Sequence, residues 1–303
     1  METVEKEKCI LVPTDFSEAC DNALNHAIEM AKYLKSKVYV LHVVDDLSKD
    51  FFAKDALEMG ATNPNNFYDS LRLTTEKLKD YVATKKSDVI IPLIEEGDLF
   101  TAIKDVATSI NAGMIILGTH GKHGFQKIVG SYALKVIDKT RLPVFVVQKR
   151  GFGAGYNDIV FTVNLSDEDR QKVEYAIQLS EIFNSTIHIF PQQTESAQSK
   201  AKLNVIVEQI KAQFDKHSVK YTVSDSSEYG EVWDRQVLNY SSSINADLIL
   251  IMSNPDKHVM FFDSKEENIM FNSAQIPVLC VNYRNTKLSA FWGAYNPGGK
   301  NVY

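Results

Sequence analysis

Two stretches of this chain repeat in the same order, so whatever it folds into must be built twice. Ile10 to Ser17 (ILVPTDFS) aligns with Ile159 to Ser166 (IVFTVNLS) at an offset of 149, and Gly113 to Val147 aligns without a gap with Asp247 to Val281 at an offset of 134. The second copy is therefore about 15 residues shorter between its first strand and its fourth. A length of 303 residues also exceeds a typical single core of about 100 to 150 residues. Two units are expected, 1–150 and 151–283, followed by a tail, 284–303.

Within each copy, apolar runs of four to eight residues alternate with amphipathic stretches of helical length, which is the pattern of β-α units around a parallel sheet. The first copy predicts strands at 9–14, 37–43, 88–94, 113–118 and 143–148, with helices at 17–35, 68–86, 98–111 and 131–139. The second predicts strands at 157–163, 185–190, 218–224, 247–252 and 277–282, with helices at 167–183, 197–216, 231–244 and 264–273. Ser17 followed by Glu18 reads as a helix start, and Ala23, Ala27, Met30, Ala31 and Leu34 keep helical spacing on one face. The fold class that follows is α/β, two tandem doubly wound five-stranded parallel sheets.

Composition narrows the function classes. With 44% apolar and 24% charged residues, and no apolar run near the roughly 18 to 20 residues of a membrane span, a soluble globular chain is expected. A net charge of −6 argues against sequence-independent nucleic-acid binding, which needs a clustered excess of Lys and Arg. The charged start Met1 to Lys8 has no apolar secretory region, so a cytoplasmic location is expected. Cys9, Cys20 and Cys280 lack metal-ligand spacing and sit in strand or helix segments, where buried, inert thiols are expected.

The chemistry-bearing motif is Gly118-Thr119-His120-Gly121, followed after eight residues by Gly130-Ser131, where a helix opens. Glycines at a strand-to-helix junction let backbone amides close on an anion, and a phosphate gains both from unpaired first-turn N–H groups and from the helix dipole. The same glycines also suit a tight turn with no ligand. Asp15, at the end of the first strand, reads either as a ribose-binding carboxylate or as an Asx turn or helix cap.

Together with Ile10 to Glu18 before it and Leu142 to Val147 after it, this motif resembles the universal stress protein family. The likeness covers about 6–150 well and about 156–283 more faintly, as in a tandem member. The resemblance implies an adenine nucleotide alpha hydrolase-like fold with strand order 3-2-1-4-5. It also implies a stress-response role and an adenine nucleotide, ATP or AMP, with or without Mg²⁺. Carried over position by position, it assigns Pro13, Asp15, Val43 and Leu117 to the nucleoside, and Gly118, Gly121, Gly130 and Ser131 to the phosphates. The departure is the spacing of eight residues, Lys122 to Val129, where nucleotide-binding members usually have nine. One residue fewer shifts the phosphate-facing amides by up to a peptide step of about 3.8 Å. By the same analogy, segments 143–148 and 277–282 are expected to pair edge to edge, either within one chain or in a homodimer.

The second copy has Asn164 for Asp15, Met252 for Gly118, Pro255 for Gly121, Ser264 for Gly130 and Lys265 for Ser131. Met and Pro do not allow the same backbone approach, and Pro255 lacks an amide donor, so a structural, non-binding copy is expected. Val259-Met260-Phe261-Phe262 supplies apolar bulk that either fills the vacated site or lines an apolar one.

Enzyme readings rest on little. His120 and His123 lack a third ligand for a metal, no GxxxxGK[ST] loop is present, and no nucleophile with its base is visible. Any ATP hydrolysis would be slow for want of a base. Three classes stay open: a nucleotide-binding regulatory protein, a nucleotide-free scaffold acting through protein contacts, and a slow ATPase or phosphotransferase. The 45–70 excursion reads as a lid, a partner surface or a loop packed over the sheet edge. Gly151 to Gly155 reads as a linker, and the aromatic tail 284–303 as docked or mobile.

Overall fold

The computed structural model describes residues 9–44, 67–119, 128–229, 232–253 and 264–282. The first half runs β1 Cys9–Pro13, α1 Glu18–Leu34, β2 Lys37–Val44, α2 Phe67–Thr84, β3 Ile90–Glu96, α3 Leu99–Ser109, β4 Met114–Gly118, α4 Ile128–Lys139 and β5 Val144–Val147. The second runs β6 Asp158–Val163, a 3-10 turn Asp167–Lys172, α5 Val173–Phe183, β7 Thr186–Pro191, α6 Ala197–Lys216, β8 Lys220–Val223, a 3-10 turn Ser226–Tyr229, α7 Trp233–Ser243, β9 Leu248–Ser253, α8 Ser264–Met270 and β10 Val278–Asn282.

Each half takes the expected order, and the two join into one ten-stranded sheet, β3-β2-β1-β4-β5-β10-β9-β6-β7-β8. Every neighbouring pair is parallel except the seam, where β5 and β10 run antiparallel with Phe145 opposite Leu279. The sequence of β5, Val144-Phe145-Val146-Val147, explains the seam. All four residues are buried, so leaving that strand at an edge would expose both apolar faces and an unpaired backbone.

Side chains reinforce the seam symmetrically. Gln148 Nε2 donates to the carbonyl of Asn272 at 3.0 Å, and Asn282 Nδ2 donates to the carbonyl of Thr140 at 2.9 Å. Gln148 and Asn282 are the same position in the two copies. Both core layers also cross the seam: one face buries Ile10, Phe145 and Phe161 together, the other Leu11, Val146 and Cys280.

Helix α1 begins where the sequence places it, with Ser17 Oγ accepting from the Cys20 N–H, and it buries Ala23, Ala27, Met30, Ala31 and Leu34 against the sheet. The expected helix 167–183 is instead a 3-10 turn followed by α5. The glycine-rich stretch after β5 is pinned. Phe152 is buried, its ring 5.5 Å from that of His26 and 5.1 Å from that of Tyr156. Gly155 takes a φ of 107°, and a Cβ there would meet Phe183 Cδ1 at 2.8 Å, so glycine is required twice over. His26, fully buried on α1, hydrogen-bonds Tyr156 Oη at 3.2 Å and the Arg150 carbonyl at 2.8 Å. Arg150 in turn donates to the Ala246 carbonyl at 2.7 Å.

All three cysteines are free and buried. Burial pushes the Cys20 thiol up to about 12, which keeps it protonated and inert. No described helix is long and apolar enough to cross a membrane.

Candidate functional site

The strand order reverses between β1 and β4. From β1 the chain builds outward through β2 and β3, and from β4 outward through β5 to the seam. In an open parallel sheet the crevice at such a switch point, beyond the carboxyl ends of the strands, is where ligands bind. Here β1 ends at Pro13 and β4 at Gly118, with Leu11 opposite Ile115 two and three residues before those ends. Pro13, Asp15, Leu117 and Gly118 therefore meet at one edge of the sheet. Leu117 is buried and Val43 half-buried in the same core layer, under α3 and α4.

Asp15 is exposed, and its Oδ1 accepts the Ser17 N–H at 2.9 Å in an Asx turn. Partial burial pushes its carboxyl up, but hydrogen bonds from the Ser17 hydroxyl and amide outweigh this and hold it below the usual carboxylate range. The carboxylate is thus ionised at neutral pH and presented to solvent at the switch point. Between them, Phe16 adopts a φ of 65°, a left-handed conformation uncommon for a bulky residue. Its ring is held 4.6 Å from that of His42 and 5.5 Å, edge-on, from that of Tyr81, with Lys77 Nζ 4.6 Å above it. His42 is itself anchored by Nδ1 to the Thr14 carbonyl at 2.8 Å. Packing therefore fixes the turn that carries Asp15. The aligned Leu165 lies outside the left-handed region, so this strain belongs to the first copy alone.

Gly118 has a packing role that its motif did not reveal. A Cβ built there would stand 2.2 Å from the Ala19 carbonyl oxygen and 2.6 Å from the Cys20 nitrogen, so the first turn of α1 closes directly onto the end of β4. Helix α4 starts at Ile128, three residues before the expected 131. The first amides of an α-helix have no intrahelical acceptor, and that of Gly130, the third residue of α4, is the last of them; the amide of Ser131, one residue on, falls within the i→i−4 ladder, so Ser131 offers its hydroxyl instead. Gly121, with His120, Lys122 and His123, lies outside the described residues, as do most of the 45–70 excursion, the 254–263 loop and the tail. Among the described residues no group of three or more His, Cys, Asp or Glu could hold a metal ion.

In the second half the switch point between β6 and β9 is rebuilt. Asn164 repeats the Asx turn, its Oδ1 accepting from the Ser166 N–H at 2.7 Å, but as an uncharged amide. Met252 is buried where the first copy has Gly118. The turn that a side chain at that position would strike has become the 3-10 segment Asp167–Lys172. Asp169 and Lys172, aligned with Cys20 and Ala23, are buried as an ion pair of 2.7 Å, and Lys172 Nζ also donates to the Thr162 carbonyl. Burial pulls the Lys172 pKa down, opposed by the Asp169 carboxylate. Asp169 Oδ2 additionally accepts the Asn164 N–H, so a backbone amide at this switch point is used internally. Sequence reasoning missed this pair. Its signal was two opposite charges, three apart, on the apolar face of a helix.

Comparison with known proteins agrees with this geometry. The universal stress protein family profile matches residues 7–148. The curated universal stress protein MJ0577 of Methanocaldococcus jannaschii is 31% identical over 160 residues, spanning 47% of this chain and 96% of that protein. From the same organism, universal stress protein MJ0531 is 28% identical over 152 residues, spanning 47% of this chain and 82% of that protein. A crystal structure of a universal stress protein from Archaeoglobus fulgidus matches 91% of this chain and 98% of its own with a TM-score of 0.64 at 21% identity, a likeness of fold that extends over both halves.

Proposed function

The chain belongs to the universal stress protein family, and from that premise we propose that its first unit, residues 1–150, binds an adenine nucleotide, ATP or AMP, in a cytoplasmic stress-response role. The observation that carries this reading is the Asp15 carboxylate, ionised, exposed and fixed by a strained turn at the switch point. An Asx turn alone needs neither a charge nor a left-handed phenylalanine beside it.

In this reading Asp15 accepts hydrogen bonds from the ribose hydroxyls, while Pro13, Val43 and Leu117 line the nucleoside. The phosphates fit the amide of Gly130 and the hydroxyl of Ser131 at the start of α4, with Gly118 and Gly121 as the close-approach positions. Mg²⁺ would arrive on the phosphates. Among the described residues no base stands at the switch point to activate water, and binding is the role this reading assigns. The second unit, 151–283, serves as a structural partner whose β10 covers the edge of β5.

One observation favours a scaffold as the second reading. Among the described strands β3 and β8 end the sheet, and Val223 on β8 is 48% exposed. The two readings separate in an equilibrium dialysis with ATP or AMP. Nucleotide binding predicts measurable affinity that falls at least about tenfold in Asp15→Ala and in Gly121→Val, with the fold retained; the scaffold reading predicts no affinity to lose.

A further inference from the structure

The second half retains a ligand-sized cleft of a different character from the first. A cavity of about 560 Å³ opens beyond the carboxyl end of β7, between the starts of α6 and α7 and facing α8. That volume lies within the range of small-molecule sites. Gln192 lines it at the position of Val43, and Lys265 at the position of Ser131. The apolar wall that would suit a purine base has thus become an amide, and the hydroxyl of the first copy has become a cation.

The remaining wall chemistry points the same way. Lys200 and Lys265 supply two positive charges. Helix α7 opens on the cleft at Val232 and Trp233, and its N-cap Val232 provides no side-chain acceptor, so the first-turn amides keep their affinity for an anion. Glu195 adds an acceptor suited to hydroxyl groups. Gln236, only 2% exposed, forms part of the same wall. Thr194 lines the same wall, and its Oγ1 has no hydrogen-bond partner within the protein. Trp233 forms a rigid flat wall, held by stacking on Phe190 at 5.6 Å and 20°.

We propose that this cleft binds a hydroxyl-rich organic phosphate of the sugar-phosphate class, with the phosphate toward Lys200, Lys265 and the start of α7 and the sugar against Trp233 and Thr194. The site is independent of nucleotide binding in the first half.

The chain has two tryptophans, so in a Trp292→Phe background Trp233 is the single fluorescent reporter. Titration of the full chain with a hexose monophosphate is expected to give a saturable fluorescence change and a rise in melting temperature. Affinity should fall at least about tenfold in Lys200→Ala/Lys265→Ala, fall in Thr194→Val and stay unchanged in Asp15→Ala. Inorganic phosphate and the free hexose should each bind at least about tenfold more weakly. The proposal is overturned if neither readout responds to the hexose monophosphate, if inorganic phosphate alone binds as well, or if AMP binds this reporter site more tightly.

Discussion

Gly118 and Ala19 are in backbone contact: a single added carbon on Gly118 would lie 2.2 Å from the Ala19 carbonyl oxygen. The glycine that opens the phosphate-type motif is thus also the point where α1 docks on β4. Both neighbouring atoms belong to backbone and cannot rotate away, so Gly118→Ala is expected to destabilise the fold by about 3 kcal/mol. Chemical denaturation checks this. A change within about 0.5 kcal/mol would contradict the close packing of α1.

Asp15→Ala should behave in the opposite way. Its side chain is exposed and makes a local turn bond, so the expected stability cost is about 1 kcal/mol, far less than the expected loss of nucleotide affinity. Parallel melting and binding measurements on Asp15→Ala and Gly118→Ala thereby separate the proposed ribose contact from the packing contact between β4 and α1.

His26 makes stability pH-dependent. Burial lowers its pKa from 6.5 to about 4, so the folded protein refuses a proton that the unfolded chain accepts. Above about pH 6.5 neither state is protonated and the residue has no effect. As pH falls from there toward about 4, stability is lost, by about 3 kcal/mol in total. Denaturant midpoints for wild type and His26→Gln across this range should show a slope in the wild type that flattens in the variant.

The Lys172–Asp169 pair should be asymmetric to mutation. Lys172→Met leaves a fully buried carboxylate without its cation, at a cost of about 3–5 kcal/mol, whereas Lys172→Met/Asp169→Asn removes both charges and should recover a large share of it. Equal losses in single and double variants would show that the charge is not what matters.

Because both core layers cross the β5–β10 seam, the two halves should unfold together. A single calorimetric transition is expected, and in Gln148→Ala/Asn282→Ala it should move down while staying single, since each amide leaves a helix-end carbonyl without its partner at about 1–3 kcal/mol. Two separated transitions in the wild type would contradict the shared core.

Periodicity in the sequence was enough to place most strand and helix ends within two residues and to choose the buried face of α1. The family resemblance, rather than the repeat itself, anticipated the seam's strands, but not Gln148 and Asn282, whose partners lie across the seam and leave no local pattern. The 167–183 stretch reads as one helix, yet its apolar positions begin only at Val173; the six polar residues before it, Asp167–Lys172, form the 3-10 turn, which places Asp169 and Lys172 inside. Three glycines at 151–155 read as a linker, yet nothing local to them shows that Phe152 is clamped against His26 and Tyr156. For the site, Asp15 and Gly118 were legible as types at a spacing. The left-handed Phe16 and the contact with Ala19 were not, because both are consequences of packing between distant segments.

The measurement that bears most directly on nucleotide binding is a thermal melt of the full chain with and without ATP and Mg²⁺, alongside Gly121→Val. At ligand near 100 times the dissociation constant the folded state gains about 2.7 kcal/mol, which raises the melting temperature by several degrees. The account predicts that rise in the wild type and its absence in Gly121→Val. No rise in the wild type, with no nucleotide released when the purified protein is denatured, would contradict it.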